Sequence, residues 1–369
     1  MRGVAVVMVV LHHAFYWAHG LPTGNGTTAV QLLASVAAPG QLGVQLFFVL
    51  SGLLITGILL DSRERPDYFR RFYVRRATRI LPPYLLLLAV LLAAGLAPLS
   101  FVLLAGAFSA NVSVLFGVAL AYTPLWSLAV EEQYYLLWPF VVRGMSRGRL
   151  ALLAAALFAV APWLRWAAFR DGYGATELNW RFTWFAYGSL LFGSLTAILL
   201  RSPRATRARV KTAGIAAFAA ALLLGVAGIP FGLWHRQRAL GAALQLTVVT
   251  LFFASALVLS LIAGSGRWRW LVTRPTLMFL GYISYGLYLC HVLVFTLYDR
   301  LMGSPPVAEP GAMLVRFFVA GGASVLIAWL SRRSYEEYFL RLGRRVTDVP
   351  PAYTTPAPLG AVEDAIARE

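Results

Sequence analysis

The sequence predicts an all-α protein, a bundle of about ten transmembrane helices with both termini in the cytoplasm. Of its 369 residues, 59% are hydrophobic and 13% are charged, whereas about a quarter of the residues in soluble domains are charged. Several apolar runs reach the length of about 20 residues with which a helix crosses the hydrocarbon core. These runs are continuous and do not alternate with polar residues, so they predict helices and not a barrel.

The apolar runs predict one membrane domain over residues 1–345. The predicted spans are 3–18, 44–60, 81–97, 126–142, 150–169, 181–200, 212–228, 239–263, 275–297 and 313–330. A further apolar stretch, 99–125, carries no charge, and a crossing there would place the later arginine-rich loops outside. We therefore predict that 101–120 is a re-entrant or interfacial segment. The Pro-rich tail, 346–369, is predicted to be disordered in the cytoplasm.

The positive charge follows the predicted topology. The net charge is +17, and most basic residues fall in the loops 61–80, 143–149, 201–211 and 264–274 and after residue 331. An excess of Arg and Lys in short loops marks the cytoplasmic side of a membrane protein. The charge therefore predicts a multi-pass protein of the inner (plasma) membrane, surrounded by lipid, and argues against a nucleic-acid partner. The single cysteine, Cys290, excludes an internal disulfide.

Ionisable side chains inside predicted spans are candidates for function, because burying them in lipid is costly. In the first span, Arg2 and His13 are about three helical turns apart and share one face, while His12 points elsewhere. In the fourth span, WSLAVEEQYYLLWP, the adjacent Glu131 and Glu132 face about 100° apart, so only one is expected to face the bundle interior. The alternatives are a packing hydrogen bond for the histidine and a structural ion pair for the glutamates.

Three further features add candidates. Ser51 in FFVLSG has no G-x-S-x-G context, so a packing role is favoured over a nucleophile. Tyr288 and His291 in ISYGLYLCH are one turn apart, although a Tyr/His belt at the membrane interface explains part of this pattern. The cluster RRFYVRRATRILPPY is either a topology signal or a site for an anionic ligand; its candidate ligands are Arg75, Arg76 and Arg79. No metal site is predicted.

These segments, in this order, resemble the acyltransferase-3 family of integral membrane O-acyltransferases. The resemblance rests on Arg2 and His13 as R-x10-H, and on FFVLSGLLIT, YVRRATRILPPY, LWSLAVEEQYYLLWP and GYISYGLYLCH. Each motif by itself is weak evidence for the family. Five motifs in the same order, over about four-fifths of the chain, are specific for it. One departure is EEYF, in which Tyr338 stands where the family usually has proline.

The resemblance implies transfer of an acyl group, commonly acetyl, from a cytoplasmic acyl-CoA to a hydroxyl of a sugar-containing acceptor. Acceptors of the family include surface polysaccharides, peptidoglycan, lipid-linked sugars and glycosylated macrolides. The implied catalytic histidine is His13, supported by Arg2. Glu131 or Glu132 would orient or charge the site. The acyl-CoA would be held by Arg75, Arg76 and Arg79.

The chemistry of these side chains agrees with that resemblance. A neutral histidine can remove the proton from a sugar hydroxyl as it attacks a thioester. The developing oxyanion needs a donor, for which the candidates are Arg2, Ser51, Tyr288 and His291. Two other functions stay open: a proton-coupled exporter or flippase that uses the buried His and Glu as a relay, and a non-catalytic subunit of a membrane assembly. A transporter would leave its cargo chemically unchanged.

Overall fold

The computed structural model describes residues 1–17, 28–172, 178–262, 267–303 and 310–347, and every regular element in these ranges is a helix. The predicted tail from residue 348 onward lies outside the described residues. The α-helices are α1 (Arg2–His12), α2 (Thr28–Ala37), α3 (Gly43–Asp61), α4 (Tyr68–Ala93), α5 (Leu99–Gly106), α6 (Leu125–Gly144), α7 (Arg147–Arg170), α8 (Leu178–Arg181), α9 (Thr183–Ala186), α10 (Gly188–Leu200), α11 (Arg207–Ala227), α12 (Ala239–Ile262), α13 (Arg267–Val272), α14 (Pro275–Tyr282), α15 (Ser284–Met302), α16 (Pro310–Ser331) and α17 (Glu337–Val346).

Within the described residues, six helical stretches are long and apolar enough to cross a membrane, as judged by length and composition. They are Gln31–Asp61, Tyr68–Ala93, Arg147–Arg170, Arg207–Ala227, Ala239–Ile262 and Pro310–Val346. A seventh is the pair α14 and α15, which meet at 77°. The chain is therefore a multi-pass helical membrane protein, while ten spans and cytoplasmic termini stay predictions.

Two predicted spans are not continuous helices. The predicted span 275–297 bends after α14, at Ile283. The predicted span 181–200 is divided among α8, α9 and α10, and α10 has only 13 residues. The charged Arg181 stands at the break between α8 and α9. No proline or charge lies within 182–200 or 276–297, so hydropathy has no signal for the break between α9 and α10 or for the bend at Ile283. The stretch 99–125 is likewise no continuous span: it holds α5, of eight residues, and the 3-10 helix Ala110–Phe116.

The chain forms two compact units. The first unit comprises Met1–Val44, Arg75–Gly95 and Trp270–Val346. In it, α1 packs closely against α14 and against the 3-10 helix Ala38–Leu42. Glycines allow this approach, because a Cβ atom at Gly3 would overlap the carbonyl oxygen of Leu277 and one at Gly40 would overlap that of Met8.

The second unit comprises Gln45–Val74 and Leu96–Arg269, with α7, α10, α11 and α12 packed against one another. Buried polar side chains join α3, α6 and α10. Tyr134 Oη lies 3.1 Å from Thr56 Oγ1 and 2.8 Å from Ser194 Oγ, and the indole of Trp138 donates to Thr56. Since an unpaired polar group in the bilayer is costly, these bonds specify how the three helices pack.

The second unit has two chemically different ends. At one end, Arg201 forms an ion pair with Asp61, and Arg63 donates to the carbonyl of Arg143. The opposite end is where α7 finishes and α12 begins. Here the buried Arg165 donates to the carbonyl oxygens of Ala243 and Phe185 and to Thr247, and so ties α7 to α12.

Candidate active site

His13 stands where α1 changes into a π-helical turn, His13–Trp17. Short π-helical turns within α-helices are rare and occur often at functional sites. His13 is half-buried and the neighbouring His12 is buried, and the two imidazole rings meet edge to face with 5.5 Å between their centroids. The turn therefore places two histidines side by side at the end of α1.

A hydrogen-bonded pair of histidines lies in the first unit. His291 Nδ1 is 3.1 Å from the carbonyl oxygen of Leu287 and 2.8 Å from that of Tyr288. Its Nε2 is 3.3 Å from His13 Nδ1, which is also 2.9 Å from the carbonyl oxygen of Val9. The side chain of His291 is completely buried. The rings of His13 and His291 meet edge to face at 4.9 Å.

These contacts determine the tautomer of each neutral histidine. Carbonyl oxygens only accept hydrogen bonds, so Nδ1 of His291 carries the proton and Nε2 carries the lone pair. His13 Nδ1 therefore faces two acceptors, the carbonyl of Val9 and His291 Nε2, and must carry the proton itself. The lone pair of neutral His13 is then on Nε2. In this tautomer His13 is a base at Nε2 whose ring orientation is fixed through Nδ1.

An ion pair between a buried arginine and a half-buried aspartate adjoins the π-helical turn. Arg316 on α16 makes two parallel hydrogen bonds to Asp299 on α15, at 2.6 and 2.7 Å, and donates through Nη1 to the carbonyl of Ala14 at 2.9 Å. Its guanidinium also lies over the ring of Phe295. Since Ala14 directly follows His13, Arg316 holds the main chain beside the candidate base.

The predicted acyl-donor arginines, Arg75, Arg76 and Arg79, lie half-buried on α4. Arg79 interacts electrostatically with Glu336, which is buried in the π-helical turn Arg332–Glu336 after α16. Two tyrosine hydroxyls hold α4 beyond the arginines: Tyr285 donates to the carbonyl of Ile80, and Tyr335 donates to that of Pro82.

Arg2 and Tyr288 complete the candidates in the first unit. Arg2 is the first residue of α1 and packs beside Gly281, near the bend that precedes α15. Tyr288 is buried, and its ring centroid lies 5.8 Å from that of His291. The common face predicted for Arg2 and His13 stays a prediction.

The second unit contains a separate polar group, formed by Ser51, Glu131 and Tyr135. Ser51 donates to a carboxylate oxygen of Glu131, and the Tyr135 hydroxyl lies 3.0 Å from Ser51 Oγ and 3.4 Å from the same carboxylate oxygen. Ser51 and Tyr135 are buried, and Glu131 is half-buried. One carboxylate thus accepts from two hydroxyl groups between α3 and α6.

The residues after Glu131 have different surroundings. Glu132 is half-buried. Gln133 donates to Asn111 and to the carbonyl of Phe108, and it accepts from Thr183. The two polar groups of the second unit therefore alternate along α6, with Glu131 and Tyr135 in one and Gln133 in the other.

The predicted residues thus fall into two sets. His13, His291 and Tyr288 come together in the first unit, which also contains Arg2 and the three arginines of α4. Ser51 and Glu131 come together in the second unit. Among the described residues, no three His, Cys, Asp or Glu side chains are grouped as a metal site would require.

Sequence reasoning missed several residues that the structure brings to these groups. Tyr135 and Asn111 are polar residues in apolar surroundings, and the spacing of Tyr135 four residues after Glu131 was the available signal. Glu336 and Arg316 are ionisable residues within or beside an apolar run, the same signal that selected His13. The pairing of Arg316 with Asp299 had no local signal, because 17 residues separate them.

A polytopic helical membrane protein with a hydrogen-bonded pair of histidines and a hydrogen-bonded carboxylate among its helices is typical of integral membrane transferases or transporters. Comparison with known proteins resolves this choice. Residues 1–333 match the family model described as an acyltransferase domain, acyltransferase-3. The chain therefore belongs to the acyltransferase-3 family, whose domain is that of an acyltransferase enzyme.

Curated relatives match a smaller part of the chain. The peptidoglycan O-acetyltransferase OatA of Listeria monocytogenes is 33% identical over 38% of this chain and 22% of its own length. The O-acetyltransferase OatA of Staphylococcus aureus is 31% identical over 38% of this chain and 24% of its own. Nodulation protein 10 of Rhizobium leguminosarum is 29% identical over 44% of this chain and 49% of its own length. The matched segments span from about a quarter to half of these relatives. No solved structure matches the chain significantly.

Proposed function

We propose that this protein transfers an acyl group, in the first instance acetyl, from a cytoplasmic acyl-CoA to a hydroxyl of a sugar-containing acceptor at the inner (plasma) membrane. The acceptor would be a cell-envelope glycan or a glycosylated metabolite. The similarity to two O-acetyltransferases, one named for peptidoglycan, supports this class of reaction. The observation that carries the proposal is the pair of histidines, which presents a base at His13 Nε2.

In this reaction His13 Nε2 takes the proton from the acceptor hydroxyl as its oxygen attacks the thioester carbonyl. A carbon–oxygen bond forms, the carbon–sulfur bond breaks, and the thiolate of CoA leaves with the proton that His13 received. General base catalysis of this kind contributes about 10²–10⁴-fold. The protonated His13 keeps its Nδ1–H directed at His291 Nε2, so the ring does not turn when it becomes charged.

The other candidates take supporting roles. Arg75, Arg76 and Arg79 would bind the phosphates of CoA, since the planar guanidinium pairs well with phosphate oxygens. Tyr288 would stabilise the oxyanion, and Arg2 on α1, about three helical turns from His13, would support the acyl donor. His291 is better suited to position His13 than to bind the oxyanion, because the one N–H of its neutral ring faces main-chain carbonyls. Glu131 or Glu132, together with Ser51, would orient the acceptor or supply a negative charge where the acceptor binds.

The test is release of free thiol from acetyl-CoA, and then from longer acyl-CoAs, by membranes that contain the chain and an extract of sugar acceptors. We expect acceptor-dependent release that His13→Ala abolishes. The control is His235→Ala, which removes an exposed histidine outside both polar groups. Release that survives in His13→Ala would contradict the role of His13. An absence of release with every donor, from protein shown to be folded, would favour the transporter.

A further inference from the structure

A cluster of aromatic and basic side chains lies at the end of the second unit where α7 finishes and α12 begins. We name it the Trp180 cluster, and its members are Phe48, Trp126, Trp180, Arg181 and Arg236. The rings of Trp126 and Trp180 meet edge to face with 4.8 Å between centroids, and Phe48 meets Trp126 in the same way at 6.0 Å. The roles proposed above use none of these residues.

Two arginines share one indole ring in this cluster. The Cζ atom of Arg236 lies 4.5 Å from the centroid of Trp180, and that of Arg181 lies 5.2 Å from it. Each contact is a favourable cation–π interaction. Because both Cζ atoms are measured from the same ring, they are at most about 10 Å apart. One anionic ligand can therefore contact both guanidinium groups.

Hydrogen bonds around the cluster hold the side chain of Arg236 and the main chain of Arg181. Arg236 Nε donates to Gln245 at 3.0 Å. The main-chain carbonyl of Arg181 accepts from Asn111 at 3.3 Å, and Asn111 accepts in turn from Gln133 on α6. Arg181 is half-buried, and an arginine side chain is charged at neutral pH. A charge that is held in place and only partly solvated is well prepared to bind an anion.

The Trp180 cluster lies directly beyond the Ser51, Glu131 and Tyr135 group along the same two helices. Phe48 precedes Ser51 by one helical turn of α3, a rise of ~4.5 Å. Trp126 precedes Glu131 by five residues of α6, a rise of ~7.5 Å. A ligand of the size of a disaccharide that contacts the arginines would therefore also reach the carboxylate group.

We propose that Arg181 and Arg236, held by Trp180, form a subsite for the acidic group of a saccharide acceptor. This inference rests on the proposed function for the identity of the ligand as the acceptor. A carboxylate on a sugar ring matches the planar fork of a guanidinium, which can donate two parallel hydrogen bonds to it. The site would thereby select acidic over neutral saccharides of the same size.

The test measures binding directly, with the purified full chain in phosphatidylcholine nanodiscs. The probes are the disaccharide of N-acetylglucosamine and N-acetylmuramic acid, which has one carboxylate, and the neutral di-N-acetylchitobiose. By calorimetry, we expect the wild type to bind the acidic probe at least tenfold more tightly. Arg181→Gln and Arg236→Gln should each remove most of this preference, and Arg181→Lys, which keeps the charge, should retain part of it.

The chain offers a matched control in Arg170→Gln. Arg170 lies over Trp166 with 5.1 Å between its Cζ atom and the ring centroid, at the same end of α7 but outside the cluster. The control should retain the full preference. Equal loss in Arg170→Gln, or no preference in the wild type, would overturn the proposal.

A lipid phosphate is the competing anion, and the same proteins distinguish it. In nanodiscs that contain phosphatidylglycerol, the acidic disaccharide should bind the wild type as tightly as before. If phosphatidylglycerol abolishes that binding, and Arg181→Gln and Arg236→Gln restore it, the arginines bind lipid and the proposal is overturned. Because binding needs no turnover, these outcomes are independent of acyl transfer and therefore of the thiol-release test.

Discussion

The polar group of the first unit and that of the second unit are held by different kinds of bond. In the first unit, His13 and His291 bond to main-chain carbonyls and to each other. In the second unit, Ser51, Glu131 and Tyr135 bond to one another through side chains. Carbonyl directions are set by the helix itself, so the histidines have one arrangement of protons. Hydroxyl groups rotate, so the second group can replace one lost bond with another. The first group should therefore tolerate substitution less well.

After loss of His13 itself, substitution of His291 should have the largest effect in this comparison. His291→Asn keeps a donor near the position of Nδ1 and removes the acceptor that faces His13. We expect kcat to fall by about 10–100-fold with KM for both substrates unchanged, because the base is present but its orientation and tautomer are no longer fixed. The rate of the wild type should rise with pH as His13 loses its proton. In the variant this rise should occur over a different pH range.

The tautomer itself provides a readout that a purely structural role would not change. The chain has five histidines, so ¹⁵N spectra of histidine-labelled protein can be assigned by single substitutions. Neutral His13 should show the Nδ1–H form in the wild type and a mixture of forms in His291→Asn. A single Nε2–H form of His13 in the wild type would contradict the arrangement deduced from the hydrogen bonds.

Single substitutions in the second group should have smaller effects. Ser51→Ala leaves the Tyr135 hydroxyl bonded to Glu131, and Tyr135→Phe leaves Ser51 bonded to it, so we expect less than about tenfold loss of kcat for each. The loss of kcat in the double variant should exceed the combined losses of the two single variants, since the double variant removes both donors to one carboxylate. A double-mutant cycle measures this coupling. Complete loss in Ser51→Ala alone would mean that the serine takes part in the chemistry.

The smallest effect on catalysis should come from the ion pair beside the π-helical turn. Arg316→Lys keeps the charge near Asp299 but loses the paired hydrogen bonds and the contact with the carbonyl of Ala14. We expect a loss of stability of about 1.5–3 kcal/mol and a fall in kcat of only a fewfold. Thermal unfolding in detergent checks the first value. A control is Arg65→Lys, which alters an exposed ion pair with Asp67 and should change stability very little.

The sequence predicted what hydropathy and isolated polar residues can indicate. The long apolar runs became helices, and His13 and Glu131 were selected because they are ionisable within such runs. Their partners could not be predicted, because His291 lies 278 residues from His13 and Ser51 lies 80 residues from Glu131. The tautomer of His13 depends on its contact with His291. The bend at Ile283 was missed because the apolar run through it is uninterrupted.

The contact between α3 and α10 has a consequence for how the protein can move. A Cβ atom at Gly52 would overlap the carbonyl oxygen of Leu190, and one at Gly193 would overlap that of Val49. The two backbones therefore touch at two places, one of them beside Ser51. Helices in such contact cannot slide or rotate without separating, so α3 and α10 should move as one rigid body. Any hinge that admits substrates or releases products must then lie at other helix contacts.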